Sequence, residues 1–395
     1  MIFPQTSSKI VEGNTVVIRE EASNMSVSRT AKYQQVVKWI ESRVAAGELK
    51  AGDKLESENE ISAIFQISRQ TVRHALSILA KEGVLEPVQG SGNFVRETRR
   101  KEKENLANRV VTIISTYVDG YIFPRILQAM AKVLEQEDYA IRIMFTSNQL
   151  ETERRILCRL LEEDQRGPMI IEPVMSGLPS PNVEYYRRLE EKGIPILFFH
   201  SYYPVLDIPH VSLDDVEAGR IATEYLIRQG HTKIAGIFKM DDGQGLRRYR
   251  GYLQALKEAG YPVRENRVTW IDTEEQQHLK DSKERILRRL KGCSACVCYN
   301  DEVAHALTEI CQEKGIRIPE DLSITGVDNS EMAGLNAVPL TSVAHTMEVL
   351  GQKVAENLLK MLEDPSFNAT YEFKPQLQER ESVIPHISSK ERDKK

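Results

Sequence analysis

Arg69, Gln70, Thr71 and Arg73 open one helical segment, on the face that its apolar residues leave free. Arginine and glutamine can pair two-pronged with base edges in a DNA major groove, and a helix N-terminus attracts phosphate. Ser68 caps this segment, and Val72, Leu76, Leu79 and Ala80 form its inward face up to Gly83. The helix before it starts at Ser57, where Glu60 completes a capping box and Ile61, Ile64 and Phe65 supply the apolar stripe. Only Gln66, Ile67 and Ser68 lie between the two, too few for an antiparallel return, so the helices cross as a helix-turn-helix. Glu58 is placed to accept a hydrogen bond from a cytosine amine. A hairpin follows, pairing Val84, Leu85 and Glu86 with Asn93, Phe94 and Val95 around a tip of Gln89, Gly90, Ser91 and Gly92. Tip glycines permit positive φ and close approach to a phosphate backbone. Lys32 and Tyr33, at the start of a preceding amphipathic helix over 31–46, and Lys54 after it complete the expected DNA-contacting set.

A second constellation lies at the ends of apolar runs. The runs at 110–114, 140–145, 169–171, 196–199, 234–238, 268–271, 295–299 and 322–327 each lead toward a helical segment. Such short unbroken runs are buried parallel strands, and their alternation with helices is a doubly wound α/β pattern, long enough here for two lobes. Ligands of open α/β sheets sit at the carboxyl ends of strands. Those ends carry Tyr121, Phe123, Glu172, His200, Asp241, Gln244, Arg248, Asn300, Asp328 and His345. Carboxylate and amide oxygens take hydroxyl protons, arginine and amide N–H groups meet hydroxyl oxygens, and aromatic rings cover apolar sugar faces. The set suits a neutral polyhydroxylated ligand.

The 395 residues exceed one ordinary domain, and the formal net charge of −5 excludes a protein that coats nucleic acid by bulk charge. Between residues 67 and 81 the charges are Arg69, Arg73 and Lys81 alone, so basicity is local to the helix-turn-helix. Five cysteines, an odd number, do not form a disulfide framework. Cys293 and Cys296 have metal-like spacing, but no second Cys/His pair follows, and Cys296 and Cys298 fall on a buried strand, so core thiols are expected and no cofactor or metal. No run reaches membrane-spanning length and no secretory leader is visible, which predicts a cytoplasmic protein without a membrane partner. The expected organisation is a poorly ordered extension over 1–28, a winged helix over 29–98, a charged linker over 99–109 and the α/β domain over 110–390. There is no P-loop, GxSxG or HExxH string, and no Schiff-base lysine stands out, so no enzyme is expected.

The string SENE…SRQTVRHAL…EGVL…GSGNFV resembles the winged helix of GntR-type bacterial repressors. VSLDDVEAGRIATEYLIRQGHTKIAGI, CYNDEVA, ITGVDNSEMAG and PLTSV resemble the effector-binding domain of LacI-type repressors and periplasmic sugar-binding proteins. The two in this order, with DGYIFP, IIEP and DDGQG, are similar to the arabinose-responsive repressors of Gram-positive bacteria. The resemblance implies a periplasmic-binding-protein-like two-lobed sensor and places Arg248, Asn300, Asp328 and His345 on effector-contacting positions. It assigns Asp214 and Asp215 to a conformational and structural signature. It also implies a homodimer on a near-palindromic operator, released by a sugar, with L-arabinose the expected effector.

Overall fold

The computed structural model describes residues 32–386 except 89, 97–108, 119, 164–165 and 336. The expected N-terminal extension, most of the linker and Gln89 lie outside the described residues. The chain divides into two compact units, the boundary falling between residues 103 and 104.

The first unit holds α1 (Lys32–Ala45), α2 (Glu58–Phe65), α3 (Arg69–Lys81), β1 (Leu85–Val88) and β2 (Gly92–Val95). Its core joins Val36 and Ile40 of α1, Ile61 of α2, Val72, Leu76 and Leu79 of α3, and Leu85 and Val95 of the hairpin. The Ser57–Glu60 capping box forms, and Gln66, in the left-handed region at φ 50°, turns the chain directly into α3. The hairpin register differs from the expected one: Glu86 faces Phe94, Pro87 faces Asn93 and Val88 faces Gly92, so Gly92 belongs to the strand rather than the tip. Sequence reading also missed a third strand-like segment. The Leu55 N–H donates to the Asn93 carbonyl at 2.8 Å and the Val95 N–H to the Asp53 carbonyl at 2.9 Å. This flanks β2 on both sides and leaves Pro87, which has no N–H, on the outer strand where a missing donor costs nothing.

The second unit has two lobes, each around a six-stranded sheet. The first lobe contains β3 (Val110–Ser115), α4 (Phe123–Gln136), β4 (Ala140–Phe145), α5 (Leu150–Glu162), β5 (Met169–Ile171), α6 (Val183–Glu191), β6 (Ile196–Phe199) and β7 (His210–Leu213). The chain then crosses to the second lobe. There it forms α7 (Asp215–Arg228), β8 (Ile234–Lys239), α8 (Gly243–Glu258), β9 (Val268–Ile271), α9 (Thr273–Gln277), α10 (Lys283–Leu290), β10 (Ala295–Cys298), α11 (Asp301–Glu313), β11 (Ser323–Asp328), α12 (Glu331–Leu335) and β12 (Thr341–Ala344). It returns through α13 (Met347–Glu363) and β13 (Tyr371–Phe373), then adds β14 (Gln376–Gln378) to the second sheet. Strand orders are β13-β7-β6-β5-β3-β4 and β14-β12-β11-β10-β8-β9, parallel except for β14.

Every expected apolar run is a strand here. The run at 196–199 does not lead into a helix, however: it continues through a loop to β7, which pairs parallel with β6. β7, β12, β13 and β14 are short and mix polar with apolar residues, which hides them from a search for unbroken runs. Met347, Leu350, Val354 and Leu358 of α13 join the first-lobe core with Ile113, Ile126 and Met130, tying the return crossing into that lobe. Cys296, Cys298 and Cys311 are buried free thiols in the second-lobe core. Among the described residues no helix is long and apolar enough to cross a membrane.

Candidate functional site

On the winged helix, Ser68 accepts the Thr71 N–H at 3.2 Å and thereby fixes the first turn of α3. Arg69, Gln70 and Arg73 are exposed along it. Arg73 donates two-pronged to Glu58, Nε to Oε1 at 3.0 Å and a terminal nitrogen to Oε2 at 2.8 Å, while Arg69 approaches the same carboxylate at 3.9 Å. The hydrogen bond from Arg73 holds Glu58 below the usual carboxylate value, though burial opposes it. A base acceptor and a base reader predicted separately therefore form one pair spanning α2 and α3. Lys32, Lys54, Ser57, Gly90, Ser91 and Gly92 are exposed and Tyr33 is half-buried against His74, with ring centroids 4.9 Å apart.

In the second unit a cavity of about 340 Å³ lies between the lobes. The first lobe supplies Glu172 at the end of β5 and His200 at the end of β6. His200 Nδ1 lies 2.7 Å from Glu172 Oε1, and the other carboxylate oxygen accepts the Thr116 N–H at 2.7 Å. Burial disfavours the imidazolium, but the Glu172 carboxylate outweighs it and keeps His200 above the ordinary imidazole value. Gln244, at the start of α8 in the second lobe, reaches the His200 carbonyl at 3.4 Å, and its own amide oxygen has no partner among the described residues.

The second lobe supplies Arg248. Its Nε donates to Asp215 at 2.8 Å, and its terminal nitrogens to the Tyr299 carbonyl at 2.7 Å and to Asp328 Oδ1 at 3.3 Å. Close helix contact makes this reach possible. A Cβ on Gly219 of α7 would stand 2.0 Å from the Arg248 carbonyl oxygen, and one on Gly251 of α8 would stand 1.9 Å from that of Val216. Two glycines thus let α7 and α8 touch backbone to backbone. Asp214 caps α7 by accepting the Glu217 N–H at 3.0 Å. Asp328, at φ 101°, accepts the Tyr121 hydroxyl at 2.7 Å, so it bridges the lobes instead of capping a helix. Asn300 does both jobs: its side-chain oxygen caps α11 through the Val303 N–H at 3.0 Å, and it lines the cavity.

Of the strand-end residues singled out from the sequence, all but Asp241 and His345 line this cavity. Asp241 is turned away: one carboxylate oxygen accepts the Thr273 N–H and hydroxyl at 2.9 and 2.6 Å. Its neighbour Asp242 takes the place in the wall. His345 sits behind His200, its ring stacked on it at 5.5 Å between centroids, and burial followed by the charge on His200 pushes it down to about 4.

Residues 32–95 match the bacterial regulatory proteins of the gntR family, and residues 223–383 match a periplasmic binding protein-like domain. The arabinose metabolism transcriptional repressor of Geobacillus stearothermophilus is 36% identical over 357 residues, spanning 89% of this chain and 97% of the relative. The chain belongs to this repressor family. The repressor of the same description from Halalkalibacterium halodurans is 35% identical over 337 residues, 84% of this chain and 89% of its own. The solved transcription regulator CcpA of Lactococcus lactis superposes with a TM-score of 0.62 over 69% of this chain and 98% of its own, at 24% identity, a likeness of fold. This repressor is a transcriptional regulator, not an enzyme.

Sequence reading passed over Lys239 in this repressor, because it closes an otherwise apolar strand. It is buried, lines the cavity and reaches Asp242 at 2.8 Å, while Asp242 also accepts from Asn148 and Tyr299 at 3.2 Å each. Burial disfavours the ammonium, yet the Asp242 and Asp241 charges hold it above the ordinary lysine value. The rule that ligands sit at strand ends, applied one residue further along β8, finds it.

Proposed function

We propose that this repressor binds a near-palindromic operator as a homodimer in the cytoplasm and is released when L-arabinose enters the cleft between the lobes. Arg69, Thr71 and Arg73 of α3 contact bases and Gln89 and Gly90 of the wing meet the DNA backbone; the Glu58–Arg73 pair either reads a C·G step together or opens to do so. One observation carries the effector reading. A buried wall of hydrogen-bonded carboxylates, cations and amides holds the Gln244 oxygen, unpartnered among the described residues, which offers a place for a hydroxyl donor. The groups joined across the cavity come from both lobes, Tyr121 to Asp328 and Asn148 to Asp242. A ligand that adds contacts to both lobes favours their closed arrangement, and the shift in operator affinity equals its differential affinity for the two arrangements, typically ~1–3 kcal/mol.

The test titrates the full chain against DNA from upstream of its own gene at fixed salt, with and without L-arabinose, D-xylose, D-ribose and D-galactose. Release by L-arabinose at concentrations where the others are silent is the expected result. Release by a different sugar reassigns the effector, and equal operator affinity with and without every sugar refutes control through this cleft.

A further inference from the structure

The cleft holds a second, smaller space of about 200 Å³ next to the first, lined among others by Arg125, Asn329, Ser330, Glu331, Met347 and Arg380. Tyr121 and Ile122 line both spaces and form the wall between them. Two hydrogen bonds hold the Tyr121 ring there through its hydroxyl. Its hydroxyl donates to Asp328 Oδ2 at 2.7 Å and accepts the Asp301 N–H at 3.3 Å, both from the opposite lobe. Its backbone stands at φ 55°, in the left-handed region that a bulky aromatic residue rarely adopts. Strain of this kind persists only where the surroundings over-determine it, and it concentrates at ligand clamps.

We propose that Tyr121 is the size filter of the site, a partition that restricts the effector to a single sugar unit by walling off the second space. This rests on the sugar-sensing reading above. With the ring in place, the inner space of about 340 Å³ is at the small end of ligand cavities. Without it only Ile122 stands between the two spaces, and the outer one already carries the polar lining a second sugar ring requires. In the outer space Arg380 donates to Asn329 Oδ1 at 2.6 Å and to the Leu340 carbonyl at 2.7 Å, so its lining is fixed by its own hydrogen bonds rather than by Tyr121. The phenol acts as a neutral donor, since burial first and the Asp328 charge second push it well above the usual tyrosine value. The ring, not the hydroxyl, does the excluding.

The experiment is calorimetric titration of the full chain with L-arabinose and with α-1,5-linked L-arabinobiose. Tyr121→Gly deletes the ring at a position whose backbone suits glycine, Tyr121→Asn deletes it with a residue that also tolerates left-handed backbone, and Tyr121→Phe keeps the ring while removing the hydroxyl. Thermal melts establish that each variant is folded. The wild type and Tyr121→Phe are expected to bind L-arabinose and to bind the disaccharide at least 100-fold more weakly. Tyr121→Gly and Tyr121→Asn are expected to bring the disaccharide within about tenfold of the monosaccharide. A wild type that accepts the disaccharide equally, or folded ring-deleted variants that bind L-arabinose and still exclude it, overturns the proposal. A wild type that binds neither L-arabinose nor the disaccharide overturns the L-arabinose reading beneath it, and this one with it.

Discussion

Arg248→Met tests whether the cleft is organised around one buried cation. Asp215 is 1% and Asp328 2% exposed, and Arg248 is the guanidinium that contacts both. Methionine roughly preserves the stem volume but leaves two buried carboxylates without their shared partner. Removing one side of a buried ion pair costs about 3–5 kcal/mol when the remaining charge is left uncompensated. Asp215 keeps Arg247 at 3.6 Å and Asp328 keeps the Tyr121 hydroxyl, which puts the loss at the low end of that range, about 3 kcal/mol. For a domain of this size roughly 2 °C of melting temperature corresponds to each kcal/mol, so the melt should fall by about 6 °C at pH 7. Adding Asp328→Asn to Arg248→Met removes one stranded charge and should restore part of the loss. Melts of the four proteins (wild type, both single variants and the double variant) at pH 7 read both effects. An Arg248→Met melt within 1–2 °C of wild type, or a double variant that melts no higher than Arg248→Met, would falsify the account of Arg248 as the hub of the cleft.

Two further expectations concern protonation and close contact. His345 is pushed down to about 4 by burial and then by the His200 charge, below its unfolded value of ~6.5, so between those limits only the unfolded chain takes up its proton. Its contribution is intact above pH 6.5 and is lost as pH falls toward 4, by up to about 3 kcal/mol; His345→Asn should flatten the acid limb of a stability–pH curve, with His210 and His231, both also near 4, accounting for the slope that stays. An unaltered limb in His345→Asn would place the titration elsewhere. Gly219→Ala sets a methyl group 2.0 Å from the Arg248 carbonyl oxygen, where only backbone displacement relieves it. The cost should be about 1–3 kcal/mol, with a loss of L-arabinose affinity as α8 carries Arg248 away from Asp215 and Asp328. A melt and a titration both matching wild type would show that α7 and α8 separate freely.

The family and the broad fold were legible because they rest on local rules. Ser57 and Ser68 cap their own helices, Gln66 to Ser68 is short enough to force a crossing, and buried parallel strands announce themselves as unbroken apolar runs. The strand-end rule reached eight residues of the cavity wall without a structure. It failed where neighbours share a chemistry: Asp241 and Asp242 are indistinguishable in sequence, and only the position of Thr273 decides which one turns away. β7, β12, β13 and β14 escaped because their partners, not their own patterns, make them strands.

Sequence by itself determined which donors and acceptors this repressor carries on its winged helix and at its strand ends, because residue type and helical or strand period fix them and the face they occupy. Tertiary structure alone decided how those groups are spent. Glu58 and Arg73 are fifteen residues apart, and Tyr121 and Asp328 are 207 apart, yet each pair is joined by a hydrogen bond. Nothing local encodes such pairings; they follow from how two helices cross and how two lobes meet, which is where the burial of apolar surface sets the geometry.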